Sequence, residues 1–251
     1  MSGGDFHSGL GGWLDVWAHT GSVWGIDTDL EEGPWGWGMT AGADILFPLT
    51  SWLSFGMGAG YVKAQSISRS AAEGNEGVIP DTQEVEATPW AVPVRASFYG
   101  HIPLSERLDI SLHAGASYYY IGRAIARYRR DWQDYWEEDV FDLKASGLGY
   151  HGGIGLELSL GRHISVFLEG QARWAKISGF QGAFERSSSE GGEENRDGTL
   201  YFMEYSLGEG AVFPVLDVLS DPPSGPAFTQ VREAVVDFGG FGLVLGFVFR
   251  I

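Results

Sequence analysis

Hydrophobic and polar residues alternate most regularly at the C-terminal end of the chain, from residue 240 to residue 251. Aromatic and aliphatic side chains share one face of a strand with this period: Phe241, Leu243, Leu245, Phe247, Phe249 and Ile251. The other face carries mainly glycine and valine: Gly240, Gly242, Val244, Gly246, Val248 and Arg250. Because successive side chains of a strand point to opposite faces, this pattern is typical of a strand with one lipid-facing side.

The same period of two predicts eight long strands, near residues 8–20, 35–48, 52–66, 88–101, 107–124, 142–160, 164–178 and 235–251. Each reaches the roughly 9–11 residues that a tilted strand needs to cross a bilayer. Tight turns are predicted at 48–51, 102–107 and 160–163, and longer polar loops near 21–34, 67–87, 125–141 and 179–234. Short turns on one side and long loops on the other are typical of outer-membrane proteins.

These elements predict an all-β fold, namely a transmembrane antiparallel up-and-down β-barrel that forms one domain over residues 1–251. Eight strands is our preferred number, and ten is the alternative because residues 199–216 also alternate. We prefer to interpret that segment as a hairpin that projects from the fourth long loop. Prolines at 222, 223 and 226 exclude a central strand in the following segment.

The distribution of charge favours a membrane barrel over a soluble one. In the predicted strand 107–124, apolar residues alternate from Leu108 to Tyr120, and Asp109 and His113 lie between them. A soluble barrel would turn the apolar face inward, but no soluble core tolerates so many charges on the other face. Aromatic residues also end the apolar face, as interfacial girdles do: Trp35, Trp37, Trp52, Trp90, Tyr118, Tyr120 and Trp174.

Composition narrows the choice further. Only 44% of the residues are hydrophobic, and no run approaches the roughly 18 apolar residues of a spanning helix. A membrane chain of this kind must cross with strands. The chain has no cysteine and a net charge of −17, so we expect no disulfide, no thiolate metal site and no nucleic-acid partner. No signal peptide is recognisable, and we interpret Met1, Ser2 and Gly3 as a start placed before a mature sequence.

The chain resembles the superfamily of small outer-membrane β-barrels of the OmpA membrane domain, OmpX and OmpW type. The resemblance covers nearly the whole chain in architecture, and its most specific element is the C-terminal signal Gly-x-x-Φ-x-Φ, filled here by Gly246, Phe249 and Ile251. The family usually ends in Phe rather than Ile. The resemblance implies location in the outer membrane of a Gram-negative cell, contact with lipid and lipopolysaccharide, and insertion by the barrel assembly machinery. It implies no single activity.

Charged and histidine residues on the predicted inward face are candidates to line the lumen: Asp15, Asp44, Arg95, His113, Arg123, His151, Glu157, Glu169 and Arg173. The interior of an eight-stranded barrel is just wide enough for side chains to fill it. We therefore expect acids and bases to pair across the lumen, and a narrow polar conduit is the alternative. Inward glycines such as Gly42, Gly56 and Gly58 would leave part of the wall without side chains.

The third long loop interleaves basic and aromatic residues, and five of them are candidates for binding: Arg127, Arg129, Arg130, Trp132 and Trp136. Arginines there could contact lipopolysaccharide phosphates, while Trp and Tyr lie at the interface. The same residue types are also favoured anchors of protein interfaces, and the sequence names no partner.

We predict an integral outer-membrane protein with a structural or loop-mediated binding role, without catalysis and without a cofactor or metal. A porin-like channel for small polar or slightly hydrophobic solutes is the first alternative, and an outer-membrane hydrolase is a distant second. Asp27-x-Asp29 lacks the Asp-x-His of omptin-type proteases, and His163-x-Ser165 lies at a predicted periplasmic turn.

Overall fold

The structure is a computed structural model that describes residues 28–31, 38–64, 66–72, 81–132, 134–208 and 211–249. All regular structure in these ranges is β, and every strand pairing is antiparallel. The prediction of an all-β antiparallel fold is therefore confirmed. The described residues contain no helix that is long and apolar enough to span a membrane.

The strands are β1 (Thr28–Glu31), β2 (Gly38–Pro48), β3 (Leu53–Ala64), β4 (Ser66–Ala72), β5 (Asp81–Ala87), β6 (Trp90–Pro103), β7 (Leu108–Trp132), β8 (Tyr135–Ser159), β9 (Ile164–Trp174), β10 (Lys176–Ile177), β11 (Gln181–Ser188), β12 (Glu193–Gly208), β13 (Ala211–Leu219), β14 (Phe228–Glu233), β15 (Val236–Asp237) and β16 (Gly240–Phe249).

Fourteen of these strands form one continuous sheet that divides at β7 and β8. We call one part the lower sheet; it has the order β2-β3-β6-β7-β8-β9-β16 and contains residues 108–120 of β7 and 147–159 of β8. Its strands overlap seven of the eight predicted ones, and the predicted strand 8–20 lies outside the described residues. Within the described part of the chain, β2 and β16 each pair on one side only, so no closed barrel is present there. Arg173 of β9 nevertheless donates a hydrogen bond to Thr40 Oγ1 of β2 at 3.1 Å. This contact shows that the sheet curves strongly enough to bring its two ends near each other.

Three tight connections lie at one end of the lower sheet, where they were predicted. In the first, Leu49 N donates to Leu53 O at 2.9 Å, and Thr50 Oγ1 accepts from Leu53 N at 3.0 Å. In the third, Leu160 N donates to Ile164 O at 3.0 Å. Backbone pairing and a hydroxyl therefore satisfy the polar groups of these turns.

Most of the predicted long loops are strands instead, which corrects the sequence analysis. The range 67–87 contains β4 and β5, the range 125–141 is the end of the β7–β8 hairpin, and the range 179–234 contains β11 to β14. These strands form an upper sheet, in the order β1-β4-β5-β7-β8-β11-β12-β13, with β14 beside β12. The predicted hairpin at 199–216 corresponds to β12 and β13 within it. Loops were predicted there because these segments are rich in charged residues, many of which lie on the outer face of the strands.

Strand β8 runs through both sheets, and its odd-numbered residues face inward in both, but the kind of residue on each face changes along the strand. Its even-numbered residues from Leu148 to Leu158 are mainly exposed and apolar, whereas His151 and Glu157 are buried. Beyond Ser146 the pattern reverses, since Lys144 is exposed and Leu143 is fully buried. The lower sheet thus has an apolar exterior and a polar interior, while the upper sheet has the arrangement of a soluble protein.

Strand β7 follows β8 through this change by means of a β-bulge. Residues 120 and 121 of β7 face only residue 146 of β8, because Tyr119 pairs with Gly147 and Gly122 pairs with Ala145. The extra residue reverses which positions point inward. Odd positions such as Ser117 are buried before the bulge, and even positions such as Ala124 are buried after it.

The upper sheet encloses the hydrophobic core of the described structure. Its buried members come from nearly every upper strand and include Val85, Ala126, Phe141, Leu143, Phe180, Phe184, Leu200, Phe202, Leu216, Val218 and Phe238. The rings of Phe141 and Phe184 pack edge to face, with centroids 5.1 Å apart. Burial of this apolar surface is the main force that stabilises the upper sheet.

The substitution Leu143→Ala is expected to lower the free energy of unfolding by about 2–5 kcal/mol, because it creates a cavity in this core. Its exposed neighbour provides the control, since Lys144→Ala should change stability by no more than about 0.5 kcal/mol. Urea unfolding of the refolded protein in detergent, followed by tryptophan fluorescence, measures both. Equal effects of the two substitutions would show that Leu143 does not lie in a packed core.

Candidate functional site: the polar interior and the outer hairpin

An ion pair that reaches across β3, from β6 to β2, occupies one side of the lower interior. Arg95 Nη2 of β6 donates to Asp44 Oδ2 of β2 at 3.0 Å, and both side chains are largely buried. The hydroxyl of Tyr99 donates to the same carboxylate oxygen at 3.1 Å. Asp44 therefore has two donors, as a carboxylate removed from water requires.

Two histidines lie side by side in the same interior, with ring centroids 5.5 Å apart. His113 Nδ1 is 3.0 Å from Glu169 Oε2, and both residues are buried. His151 lies between two hydroxyls, with Nε2 2.7 Å from Ser97 Oγ and Nδ1 2.9 Å from Ser117 Oγ. The carboxylate thus orients His113, whereas His151 is held by hydroxyls alone.

The remaining lumen candidates lie towards the two ends of this interior. Glu157 is 3% exposed, and its Oε2 lies 4.0 Å from His101 Nδ1, near the tight turns. Arg173 lies at the other end, where it reaches Thr40. Asp15 lies outside the described residues. Seven of the nine predicted lumen residues therefore contact another polar side chain within the lower interior, namely Asp44, Arg95, His113, His151, Glu157, Glu169 and Arg173.

Glycines provide the space for this network. A Cβ at Gly58 would lie 2.0 Å from Asp44 Oδ1, and one at Gly42 would lie 2.6 Å from Arg95 Nη2. At Gly56 the nearest atom would be a Tyr99 ring carbon, at 2.6 Å. The glycine-lined wall is therefore covered by the side chains of Asp44, Arg95 and Tyr99.

Arg123 does not belong to this interior, which corrects its assignment as a lumen residue. It follows the bulge and lies on the face opposite to the fully buried Ala124. There its Nε donates to Asp142 Oδ1 at 2.6 Å, and its Nη2 donates to the other carboxylate oxygen. The hydrogen bonds from Arg123 lower the pKa of Asp142. Strict alternation predicted the wrong face because the sequence does not reveal the extra residue.

The five binding candidates of the outer hairpin separate onto different faces. Arg127 and Arg129 are exposed and form ion pairs on the outer face, with Glu138 at 3.2 Å and with Asp131 at 2.8 Å. Arg130 follows the inward parity of Ala124 and Ala126, opposite Glu137. Trp136 is 37% exposed, and the side chain of Trp132 is outside the described part. These residues therefore do not form one continuous binding surface.

The proposed assembly signal lies on the last strand. Phe249 is 71% exposed on the apolar face. Gly246 faces inward, where a Cβ would lie 2.5 Å from the ring of Phe167. Ile251 is outside the described residues.

The sequence analysis did not predict the roles of Tyr99, Ser97 and Ser117. Tyr99, Ser97 and Ser117 fall on the inward face of predicted strands, so the alternation could have identified them.

The chemistry of the interior is that of paired structural groups. The described residues contain no cluster of three or more His, Asp or Glu that could hold a metal ion. Ser97 and His151 lie as close together as a nucleophile and its base would, but the other nitrogen of His151 contacts a hydroxyl rather than an orienting carboxylate.

No protein-family model matches the chain, and neither curated proteins nor solved structures give a match.

The ion pair of the lower interior makes a stability prediction. Asp44→Ala should destabilise the fold by about 1–3 kcal/mol, because it removes the acceptor of hydrogen bonds from Arg95 and Tyr99. The double variant Asp44→Ala/Arg95→Leu should recover most of this loss, since it removes both charges. Urea unfolding of the three proteins in one detergent measures the difference. A double variant that is less stable than the single one would contradict the pairing.

Proposed function

We propose that the chain is an integral outer-membrane β-barrel protein whose lower sheet spans the bilayer and whose upper sheet projects from it. In this proposal the barrel has eight strands, and the predicted strand 8–20, which lies outside the described residues, is one of them. The two edges and the hydrogen bond from Arg173 to Thr40 support closure, because they bring the ends of the sheet near each other.

The observation that carries this proposal is the apolar exterior of the lower sheet. Large apolar side chains are exposed in every one of its strands, up to 89% for Phe241 and 66% for Leu148. An exposed apolar surface of this extent is not stable in water. On β8 it runs from Leu148 to Leu158, and these residues match the roughly 9–11 that a tilted strand needs to cross.

Aromatic side chains mark the upper border of the apolar surface. Tyr150 of β8 pairs directly with Trp174 of β9, and the two are 65% and 60% exposed. Tyr120, at the bulge of β7, is 67% exposed and lies beside residue 146 of β8, where the apolar run of β8 ends. Such residues favour the boundary between hydrocarbon and headgroups, where lipopolysaccharide would also meet the protein.

The proposed role is structural or based on binding by the upper sheet, without catalysis. The upper sheet carries the core of the described structure and most of its surface ion pairs, so it is a folded body rather than a set of loops. Insertion is proposed to depend on the barrel assembly machinery through Gly246, Phe249 and Ile251.

Single cysteines test the membrane placement, because the chain has none of its own. Ile154→Cys should resist a charged maleimide in lipid vesicles, since its side chain would face hydrocarbon. Lys144→Cys lies on the same face of the same strand, beyond the border, and should react quickly. Equal reactivity of the two folded proteins would contradict the proposal.

The polar interior disfavours the alternative of a narrow channel, since Asp44, Arg95 and Tyr99 cover the glycine-lined wall. We expect no conductance from the inserted wild-type protein in a planar bilayer. Arg95→Ala should open intermittent steps, because it removes the longest side chain of this group. Arg123→Ala is the matched control and should stay silent, since Arg123 lies outside. Steady wild-type conductance would instead support the channel.

A further inference from the structure

The upper sheet contains a cavity of about 340 Å³ that the proposed membrane role does not use. Its lining includes Tyr128, Phe184, Arg186 and Arg196, and we call it the upper cavity. Its volume lies within the range of small-molecule sites. The cavity lies at the end of the core that is farther from the lower sheet.

Strand register arranges the cavity in layers. One row across five adjacent strands consists of Val85, Tyr128, Asp139, Arg186 and Glu194. The next row towards the core consists of Ala87, Ala126, Phe141, Phe184 and Arg196. Leu143 and Leu200 are fully buried below them. The cavity therefore has an apolar and aromatic floor beneath a layer of charged groups.

Each arginine of the cavity lies between two carboxylates. Arg186 donates to both oxygens of Asp139 at 2.7 Å and lies 3.3 Å from Glu137. Arg196 donates to Asp217 Oδ1 at 2.6 Å and lies 3.7 Å from Glu194. These contacts fix the direction of the donors and acceptors before any ligand arrives, which lowers the entropic cost of binding.

Both arginines of the cavity contact the aromatic floor. The guanidinium carbons of Arg196 and Arg186 lie 4.3 Å and 5.5 Å from the centroid of the Phe184 ring. Cation–π contact and the ion pairs hold both side chains in place. The lining carries four carboxylates against two arginines, an excess of two formal negative charges, and Arg130 faces Glu137 in the row above. Burial also raises the pKa of Asp139 and of Asp217.

Two buried N–H donors, Arg196 Nε and Gln83 Nε2, have no hydrogen-bond acceptor among the described residues. The first belongs to the lining of the cavity and lies 3.7 Å from Glu194 Oε1, and the second belongs to a residue beside it. Gln83 is only 2% exposed, and its Oε1 accepts from the hydroxyl of Tyr128, a lining residue, at 2.6 Å. Buried donors without acceptors are costly, so a ligand that supplies acceptor oxygens would be stabilised here.

We propose that the upper cavity binds a neutral saccharide unit. A sugar hydroxyl can accept from a guanidinium and donate to a carboxylate at the same time, and the alternating lining offers both. The C–H face of a sugar ring can pack on the apolar floor. The excess of carboxylates disfavours an anion, and a cation is disfavoured because each carboxylate already faces a guanidinium. The inference deepens the binding role proposed above and rests on it for the exposure of the cavity to the cell exterior.

Saturation-transfer NMR on the full chain tests the proposal. The protein is kept in an amine-oxide detergent, because a detergent with a sugar headgroup would compete. Glucose, galactose and N-acetylglucosamine are the neutral probes, with glucosamine as the cationic and glucuronate as the anionic one. We expect transfer to at least one neutral sugar, with dissociation constants of about 1 mM or below. No transfer to any neutral sugar, or tighter binding of a charged probe, would overturn the proposal.

Variants connect the signal to the cavity. Arg196→Lys keeps the charge but removes the Nε donor, and it should weaken binding about tenfold. Glu194→Gln keeps the size of a partly exposed lining residue and should weaken binding several-fold. Lys144→Ala, on the outer face, should leave binding unchanged. Circular dichroism melting confirms that each variant is folded.

Equal binding by wild type, Arg196→Lys and Glu194→Gln would place the sugar elsewhere and overturn the assignment. Because the binding is measured in detergent, its failure is distinct from failure of the membrane proposal, which maleimide labelling tests separately.

Discussion

The structure depends on one constraint, which is that the same hydrogen-bonded strands must be stable in two different surroundings. Antiparallel pairing satisfies the backbone groups of β7 and β8 along nearly their whole length. The side chains are then free to match the surroundings locally. Below Ser146 the outer positions of β8 are apolar and the inner ones polar, and above it the arrangement reverses. The proposed membrane border follows from this reversal.

The reversal explains where each kind of stabilising interaction occurs. The upper sheet is held by burial of residues such as Leu143 and Phe184. The lower sheet encloses hydrogen-bonded pairs, such as Asp44 with Arg95 and His113 with Glu169. Each buried charge there needs its partner, and glycines on the facing strands provide the space. In the proposed structural role, these paired groups make the lower sheet a rigid support for the upper sheet.

Alternation in the sequence predicted the antiparallel fold, seven of the eight long strands within the described residues, and the inward positions of Asp44, His151 and Glu169. It placed Arg123 on the wrong face, because a bulge adds one residue without any mark in the sequence. It also treated the ends of β7 and β8 as loops, because charges such as Arg127 and Glu138 lie on the outer face of those strands. The upper cavity was missed because its residues come from strands far apart in the chain, which only register brings together.

The most direct test of this account is a scan of spin labels on single cysteines along β8, from residue 138 to residue 158, in lipid vesicles. At even positions from 148 to 158 the account predicts high accessibility to oxygen, which dissolves in lipid. At even positions from 138 to 146 it predicts high accessibility to a water-soluble nickel chelate, with low values for both reagents at odd positions. Accessibility to the nickel chelate along the whole even-numbered face would contradict the account.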